Sequence, residues 1–380
     1  MSFSARLAAE LRGDRVIWAI LVLLALFSLL AVYSATGTLA YRERGGNTEA
    51  FLVKHGVILA GGLVITYFCH LLHYMRYNRW APILLPVSML LLAYTAILGA
   101  DINDARRWIV LPVVGITFQT SDLAKIALIL FVARAISSKQ EYIKDFKSAF
   151  LPIILPVILV CGLIAPSDLS TSVLLFFTSL MMMFIGRVAL KYIGMLLVGG
   201  ILMFAFLLFL GRYFPDYIRV ETWENRLQQF WSPAPLGEDT YQVDQAKMAI
   251  ANGGWTGKGP GNSTQRNYLP APYSDFIYAI ICEEYGIIGG GVVVGLYLLL
   301  FFRVTRLVTK SPKAFGAMVA LGLSLSLVLQ AFVNIAVSVN LLPVTGITLP
   351  MISMGGTSLL FSCIAFGIIL SVSKYIESVT

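Results

Sequence analysis

Long apolar runs separated by short polar stretches set the plan of this chain. Ten runs stand out, at about 16–36, 54–73, 80–99, 122–138, 149–165, 169–186, 189–210, 276–302, 314–339 and 348–372. About 20 apolar residues in helical form cross a hydrocarbon core of roughly 30 Å, and a helix satisfies its own backbone there. The pattern predicts an all-α polytopic membrane protein with about ten transmembrane helices, a single domain over residues 1–380. The first run is long enough to span and lacks a small-residue cleavage site, so it reads as a span rather than a signal peptide. Composition agrees: 58% of residues are hydrophobic and 13% charged, against about 25% charged in soluble domains.

The net charge of +8 raises the question of nucleic acid. Its distribution answers it. With the N-terminus inside, 16 of the 28 Lys and Arg fall in the inside segments together with only five of the 20 acids. That asymmetry is a topology signal and not a nucleic-acid patch. It predicts both termini in the cytoplasm. The four cysteines sit in or beside apolar runs without CxxC spacing, and the three histidines form no ligand pattern, so neither a disulfide framework nor a metal centre is expected.

One outside loop is long, at about 211–275, between the seventh and eighth helices. It carries Trp223, Phe230, Trp231, Tyr241 and Trp255. Asp239 or Thr240 is placed to cap a short helix whose apolar face is Val243, Ala246, Ala249 and Ile250, stopped by Gly253-Gly254. The loop is therefore expected to be ordered and to lie against the membrane surface, rather than to be a solvated tether.

Candidate chemistry gathers at the outer ends of the helices. Asp275 stands at the mouth of the eighth helix. Two readings are open for it: an N-cap, with Ser274 or Asp275 accepting backbone N–H groups, or a general base. Glu283 and Glu284 follow about two turns on, ~12 Å along a regular helix. They either pair structurally or line a substrate cavity. Arg106 and Arg107 lie outside, against the topology rule, and paired guanidinium groups suit phosphate oxygens. Trp108 beside them suits an interfacial belt. Thr120 or Ser121 would cap the fourth helix. Asp122 and Lys125 share one of its faces, as an internal ion pair or as cavity lining. Asp168 is placed to cap the sixth helix. In "NLLPVTGITLPMISMGGTSLL", prolines and glycines break an apolar stretch, which predicts a re-entrant or cavity-lining segment offering Ser353, Thr357 and Ser358. "GGWTGKGPGNSTQ" carries Lys258 among glycines; it is no Walker loop, though such a segment can cradle a pyrophosphate. Together these features suit a lipid-linked anionic substrate on the external face.

Three ordered blocks carry a family resemblance. "RRWIVLPVVGITFQTSDLAKIAL", "YQVDQAKMAIANGGWTGKGPGNSTQRNYLPAPYSDFIYAIICEEYGIIGG" and "NLLPVTGITLPMISMGGTSLL" resemble the signature blocks of the SEDS family of shape, elongation, division and sporulation proteins, and the likeness spans essentially the whole chain. Phe118-Gln119 and the "FIYAIICEEYG" wording are closer to the septal branch than to the elongation branch. The resemblance implies a peptidoglycan glycosyltransferase of the bacterial cytoplasmic membrane, acting at the division septum. It would polymerise lipid II, extending a glycan carried on undecaprenyl pyrophosphate, with a class B penicillin-binding protein and other divisome proteins as partners.

Residue by residue, the family's essential acid maps to Asp275 in Ser274-Asp275-Phe276. Its Arg-Trp element maps to Arg107-Trp108. Its Ser-Glu-x-x-Lys element maps to Ser121, Asp122 and Lys125, with Asp replacing Glu. Its Pro-Asp-Leu turn maps near Asp168, where Ser167 intervenes, and its Gly-Gly-Ser-Ser element maps to Gly355, Gly356, Thr357 and Ser358. The Glu and His that often precede the acid are absent from Pro270–Ser274. Arg106, Arg107, Lys125, Lys258 and Arg266 are candidates for the leaving pyrophosphate, with a magnesium or manganese ion as a further candidate for which no protein ligand set is identifiable. A lipid II flippase and a non-catalytic divisome scaffold are the competing functions.

Overall fold

The structure is a computed structural model, and it describes residues 12–37, 39, 48–102, 105–111, 116–213, 220–231 and 237–377. In chain order its helices are α1 (Arg15–Ala35), α2 (Thr48–Leu71), α3 (Met75–Leu98), α4 (Thr120–Ser138), α5 (Leu151–Ile164), α6 (Leu169–Ile185), α7 (Leu190–Tyr213), α8 (Val220–Trp231), α9 (Glu238–Gly253), α10 (Ile277–Lys310), α11 (Ala314–Ser338) and α12 (Thr357–Glu377). Among the described residues eight helices are long and apolar enough to cross a membrane. Two more helices fall on the remaining expected runs. α6 is apolar but only 17 residues long, and α4 carries Asp122, Lys125 and Arg134.

α11 is the axis of the bundle, with 78% of its most apolar stretch buried; the same figure for α7 is 11%. An apolar helix exposed to this degree matches lipid as its solvent, and Ile201 and Leu202 are both more than half exposed. A buried helix must satisfy its polar groups inside the protein. α11 does so partly on itself: Ser324 donates to Leu321 O (3.0 Å) and Ser338 to Asn334 O (3.1 Å).

The ends of the chain meet. At the end of the bundle remote from Asp275, Asp14 caps α1 through Val16 N (2.8 Å) and Ile17 N (3.3 Å). Its other oxygen takes Nε and Nη2 of Arg303 on α10 (3.0 and 2.6 Å). Its backbone N–H donates to Ser373 Oγ on α12 (2.9 Å). α12 also lies along α2, where Thr66 Oγ1 donates to Cys363 O (2.9 Å).

Three findings depart from the expectations. First, the fold is not purely helical. β1 (Ala100–Ile102), β2 (Ala105–Leu111) and β3 (Ile116–Gln119) form an antiparallel sheet in chain order between α3 and α4. Trp108 pairs with Gln119 and Val110 with Thr117. The short β-branched run flanked by turn residues is a strand signal that the surrounding helical pattern overshadowed. Second, the described part of residues 211–275 contains α8, a helix the pattern did not mark, and the predicted apolar face of α9 packs on the protein. Val243, Ala246 and Ala249 are buried against Leu269, Phe276 and Ile280, so α9 rests on the start of α10. Third, the last span begins at Thr357 instead of about 348. Residues 339–356 contain no helix or strand, with Asn340, Gly346, Met351 and Gly356 at positive φ.

Candidate active site

Asp275 is half-buried where the chain turns into α10. The N-cap position of that helix is Phe276, and no side chain caps it there, so the capping reading gives way. The carboxylate is instead carried by a backbone pinned from two sides. Asn334 on α11, itself 1% exposed, donates through Nδ2 to Asp275 O (2.8 Å) and to Ile347 O (2.7 Å). Ser353 Oγ donates to Ser274 O (2.6 Å), and Met354 N donates to Tyr273 O (2.9 Å). The irregular 339–356 segment thus grips Tyr273 and Ser274, the two residues before Asp275, and α11 holds Asp275 itself. Ser274 Oγ donates to Asp275 Oδ1 (2.7 Å). Oδ2 faces Gly346, where an added Cβ would stand 3.8 Å away.

The grip is supported from behind. Ser28 on α1 donates to Ile352 O (2.9 Å) and its oxygen lies 2.7 Å from His55 Nε2 on α2. Gln330, one turn before Asn334 on the same face of α11, donates to Thr348 O (2.9 Å). Gln330 Oε1 in turn accepts from Lys125 (3.4 Å), and Lys125 pairs with Asp122 at 2.7 Å. A polar row therefore runs from α4 across α11 to the backbone of Asp275. Asp122, Lys125, Gln330 and Ser358 line a cavity of about 30 Å³, room for one or two waters. The buried Asp122 Oδ2 has no hydrogen-bond partner among the described residues. Ser358 Oγ lies 3.4 Å from Thr348 Oγ1.

The start of α4 joins the same end. Its N-cap is Gln119, without a side-chain cap. Thr120, expected to cap, lies instead 3.0 Å from Thr95 Oγ1, and Ser121 accepts from Gln119 Nε2 (3.0 Å). Asp168 does cap α6, accepting from Thr171 N (3.0 Å), and takes Gln119 Nε2 at 3.5 Å. Gln119 N donates to Thr357 Oγ1 (3.3 Å). Half-buried Trp108 stands opposite Gln119 in the sheet. Arg106 and Arg107 lie on β2, and their side chains fall outside the described part of the structure.

Glu283 and Glu284 take the structural role. Glu283 is fully buried. Its carboxylate accepts from Lys258 Nζ (2.8 Å), Thr264 Oγ1 (2.8 Å), Thr264 N (3.2 Å), Gln265 N (3.1 Å) and the Ser263 hydroxyl. Glu284 accepts from Ser263 N (3.3 Å) and the Ser34 hydroxyl. α10 breaks just past this point: Gly286 has φ 69° and ψ −174°. The glycines here serve close backbone contact. A Cβ on Gly257 would meet Glu284 O at 2.1 Å, and one on Gly286 would meet Trp255 O at 2.2 Å. Both have positive φ, which glycine alone adopts freely. Lys258 is thus engaged with Glu283 rather than cradling an anion, and Arg266 Nη1 donates to Ser34 O and Ser34 Oγ (3.1 Å each).

A family model described as a cell cycle protein and covering FtsW, RodA and SpoVE matches residues 14–378. The chain belongs to the FtsW/RodA/SpoVE family. Among curated relatives of this family, stage V sporulation protein E of Bacillus subtilis is 32% identical over 374 residues, covering 95% of this chain and 97% of the relative. A probable peptidoglycan glycosyltransferase FtsW of Geobacter sulfurreducens is 34% identical over 372 residues, covering 96% of both. A solved chain, from work on the coordination of polymerization and crosslinking by a peptidoglycan synthase complex, superimposes with a TM-score of 0.73 at 26% identity, covering 96% of this chain and 98% of that one. The rod shape determining protein RodA of Thermus thermophilus shares the fold, with a TM-score of 0.68 at 24% identity, covering 95% of this chain and 96% of that one.

Of the residues singled out in this FtsW/RodA/SpoVE chain, the structure brings Asp122, Lys125 and Ser358 together, and connects them through Gln330 and Thr348 to the Asp275 segment. Lys258 and Arg266 belong to a separate network on Glu283 and Ser34. Sequence reasoning missed Gln330 and Asn334. The signal was present: two amides four apart in an otherwise apolar helix, where polar groups are costly unless they serve neighbours.

Proposed function

We propose that this chain is a peptidoglycan glycosyltransferase that polymerises lipid II, with Asp275 as the general base. The observation that carries the reading is the held carboxylate: a half-buried Asp at a helix mouth, its backbone fixed by Asn334 and Ser353 and one oxygen by Ser274. A sugar hydroxyl is a poor acid, and a positioned carboxylate near it supplies typically 10²–10⁴-fold. The proton of the acceptor 4-hydroxyl passes to Asp275. The oxygen attacks the donor's anomeric carbon, and undecaprenyl pyrophosphate departs with the bonding pair. Inversion needs one carboxylate opposite the leaving group. The leaving group is already ionised, so it requires charge stabilisation more than a proton. Arg106, Arg107 and Lys125 are the residues assigned to that task. Among the described residues no group of three or more His, Cys, Asp or Glu is placed to hold a metal ion, and no step is assigned to one.

In this reading the Asp275 end faces outside the cytoplasmic membrane, and a class B penicillin-binding protein crosslinks the strands at the septum. The name and likeness of the FtsW relative and of the synthase-complex chain support it. The test is strand formation from labelled lipid II by purified protein with its transpeptidase partner. Wild type should give long strands and a folded Asp275→Asn variant none. Equal strands from both would end the base assignment. No strands from either, with lipid II crossing vesicles, would replace polymerisation with transport.

A further inference from the structure

A second cavity, of about 130 Å³, opens between α8, α9 and the segment that follows α11. We infer that it is a subsite for a neutral pyranose ring of the glycan, next to the ring that reacts at Asp275. This rests on the glycosyltransferase reading above.

Size comes first. An apolar cavity of about 150 Å³ accepts benzene, so this one, being open at its mouth, admits a six-membered ring. Its chemistry then selects the ring. Phe230 lines it, half-buried, and offers a flat apolar face of the kind that stacks on the C–H face of a sugar. The charges of the lining cancel. Arg226 pairs with Asp239 at 3.8 Å, and Lys247 pairs with Asp244 at 3.1 Å. Two cations and two acids leave no net field for a pyrophosphate, which would meet both carboxylates. They leave donors and acceptors on rigid supports, suited to hydroxyl and acetamido groups.

Gln229 and Thr240 add an amide and a hydroxyl to this lining. Location supplies the last argument. Val344 forms part of the wall, two residues before Gly346, which stands beside Asp275. Two residues of chain span at most about 7 Å, no more than roughly one ring along a strand. A glycan held at Asp275 therefore reaches this cavity without leaving the surface of the bundle.

The test uses the full chain in nanodiscs and a soluble neutral tetramer of N-acetylglucosamine, which carries no lipid and no phosphate. Binding is read by saturation-transfer NMR titration, with thermal unfolding as the folding check. Wild type and Asp275→Asn should bind saturably. Phe230→Ala and Gln229→Ala should each weaken binding at least tenfold. Leu227→Ala, an exposed neighbour on α8 that does not line the cavity, should bind as wild type does, and inorganic pyrophosphate should not displace the tetramer. No saturation by about 10 mM, equal affinity in both cavity variants, or displacement by pyrophosphate would overturn the subsite. The activity reading fails separately. Wild type that binds the tetramer but makes no strands keeps the subsite and loses the polymerase, whereas wild type that makes strands without binding the tetramer loses the subsite alone.

Discussion

Glu283→Gln offers a severe test of how the long loop is held, because its outcome does not depend on what the protein does. The wild-type carboxylate accepts five hydrogen bonds from Lys258, Ser263, Thr264 and Gln265. Glutamine keeps the shape but replaces one acceptor oxygen with an NH₂ that faces donors, and it removes the charge. Hydrogen bonds to a charged group contribute about 1.5–3 kcal/mol each. Losing two of them would cost about 3–6 kcal/mol, but the Lys258 side chain is 31% exposed and recovers part of its solvation in water. The lower end, about 3 kcal/mol, is the working figure. At 1.4 kcal/mol per tenfold, it raises the open population of the 254–268 segment about 100-fold. Trypsin reads that population directly when closing is faster than cleavage. Cutting after Lys258 and Arg266 should therefore accelerate about 100-fold in Glu283→Gln, while sites at the far end of the bundle keep their wild-type rates. An increase below about fivefold would mean that Glu283 does not hold the loop, and that the backbone contacts around Gly286 suffice.

Asn334→Ala removes both donors that fix the Asp275 and Ile347 carbonyls; a shift of about 1 Å at a reacting group costs on the order of 100-fold, so strand synthesis should fall by about that factor, and activity within twofold of wild type would dismiss the positioning role. Gly257→Ala forces a left-handed φ and a clash with Glu284 O, and should lower stability by about 3 kcal/mol, read as a drop in the unfolding midpoint. Asp122→Asn leaves Lys125 without its counter-ion, while Asp122→Asn combined with Lys125→Met removes both charges; the double variant should unfold at a higher temperature than the single, and strictly additive losses would show that the pair is not coupled.

Much of this architecture was legible in the chain because lipid imposes a blunt requirement: each span announces itself by length and hydrophobicity. Each of the ten runs falls on a helix for that reason, eight of them long and apolar enough to cross a membrane among the described residues. The three-residue β1 and four-residue β3 are too short for periodicity to register, so the sheet at 100–119 was hidden. α8 was missed because its 12 residues lie in a stretch read as loop. The site was legible in part. Asp275, Asp122 and Lys125 stand out as charges in apolar surroundings. Their connection runs through Gln330 and Asn334, which come into range only when α11 packs against α4 and α10. The fate of Glu283 was equally invisible, because its five donors come from residues 18 to 25 positions earlier, brought back by a glycine turn whose geometry no composition rule supplies.

The Asp14 lock bears on how the molecule is made. Its partners, Arg303 and Ser373, lie 289 and 359 positions away, and α2 finds Cys363 297 positions on. Synthesis runs at about 5–20 residues per second, so the first two helices wait roughly 15 s or longer in the bilayer before α12 exists to receive them. Until those residues are made, the Asp14 carboxylate lacks its guanidinium and the Asp14 N–H lacks the Ser373 hydroxyl. The amino-terminal hairpin is inserted early and docked last, and a ribosome that stalls before α12 leaves a bundle open along that seam, exposed to membrane proteolysis.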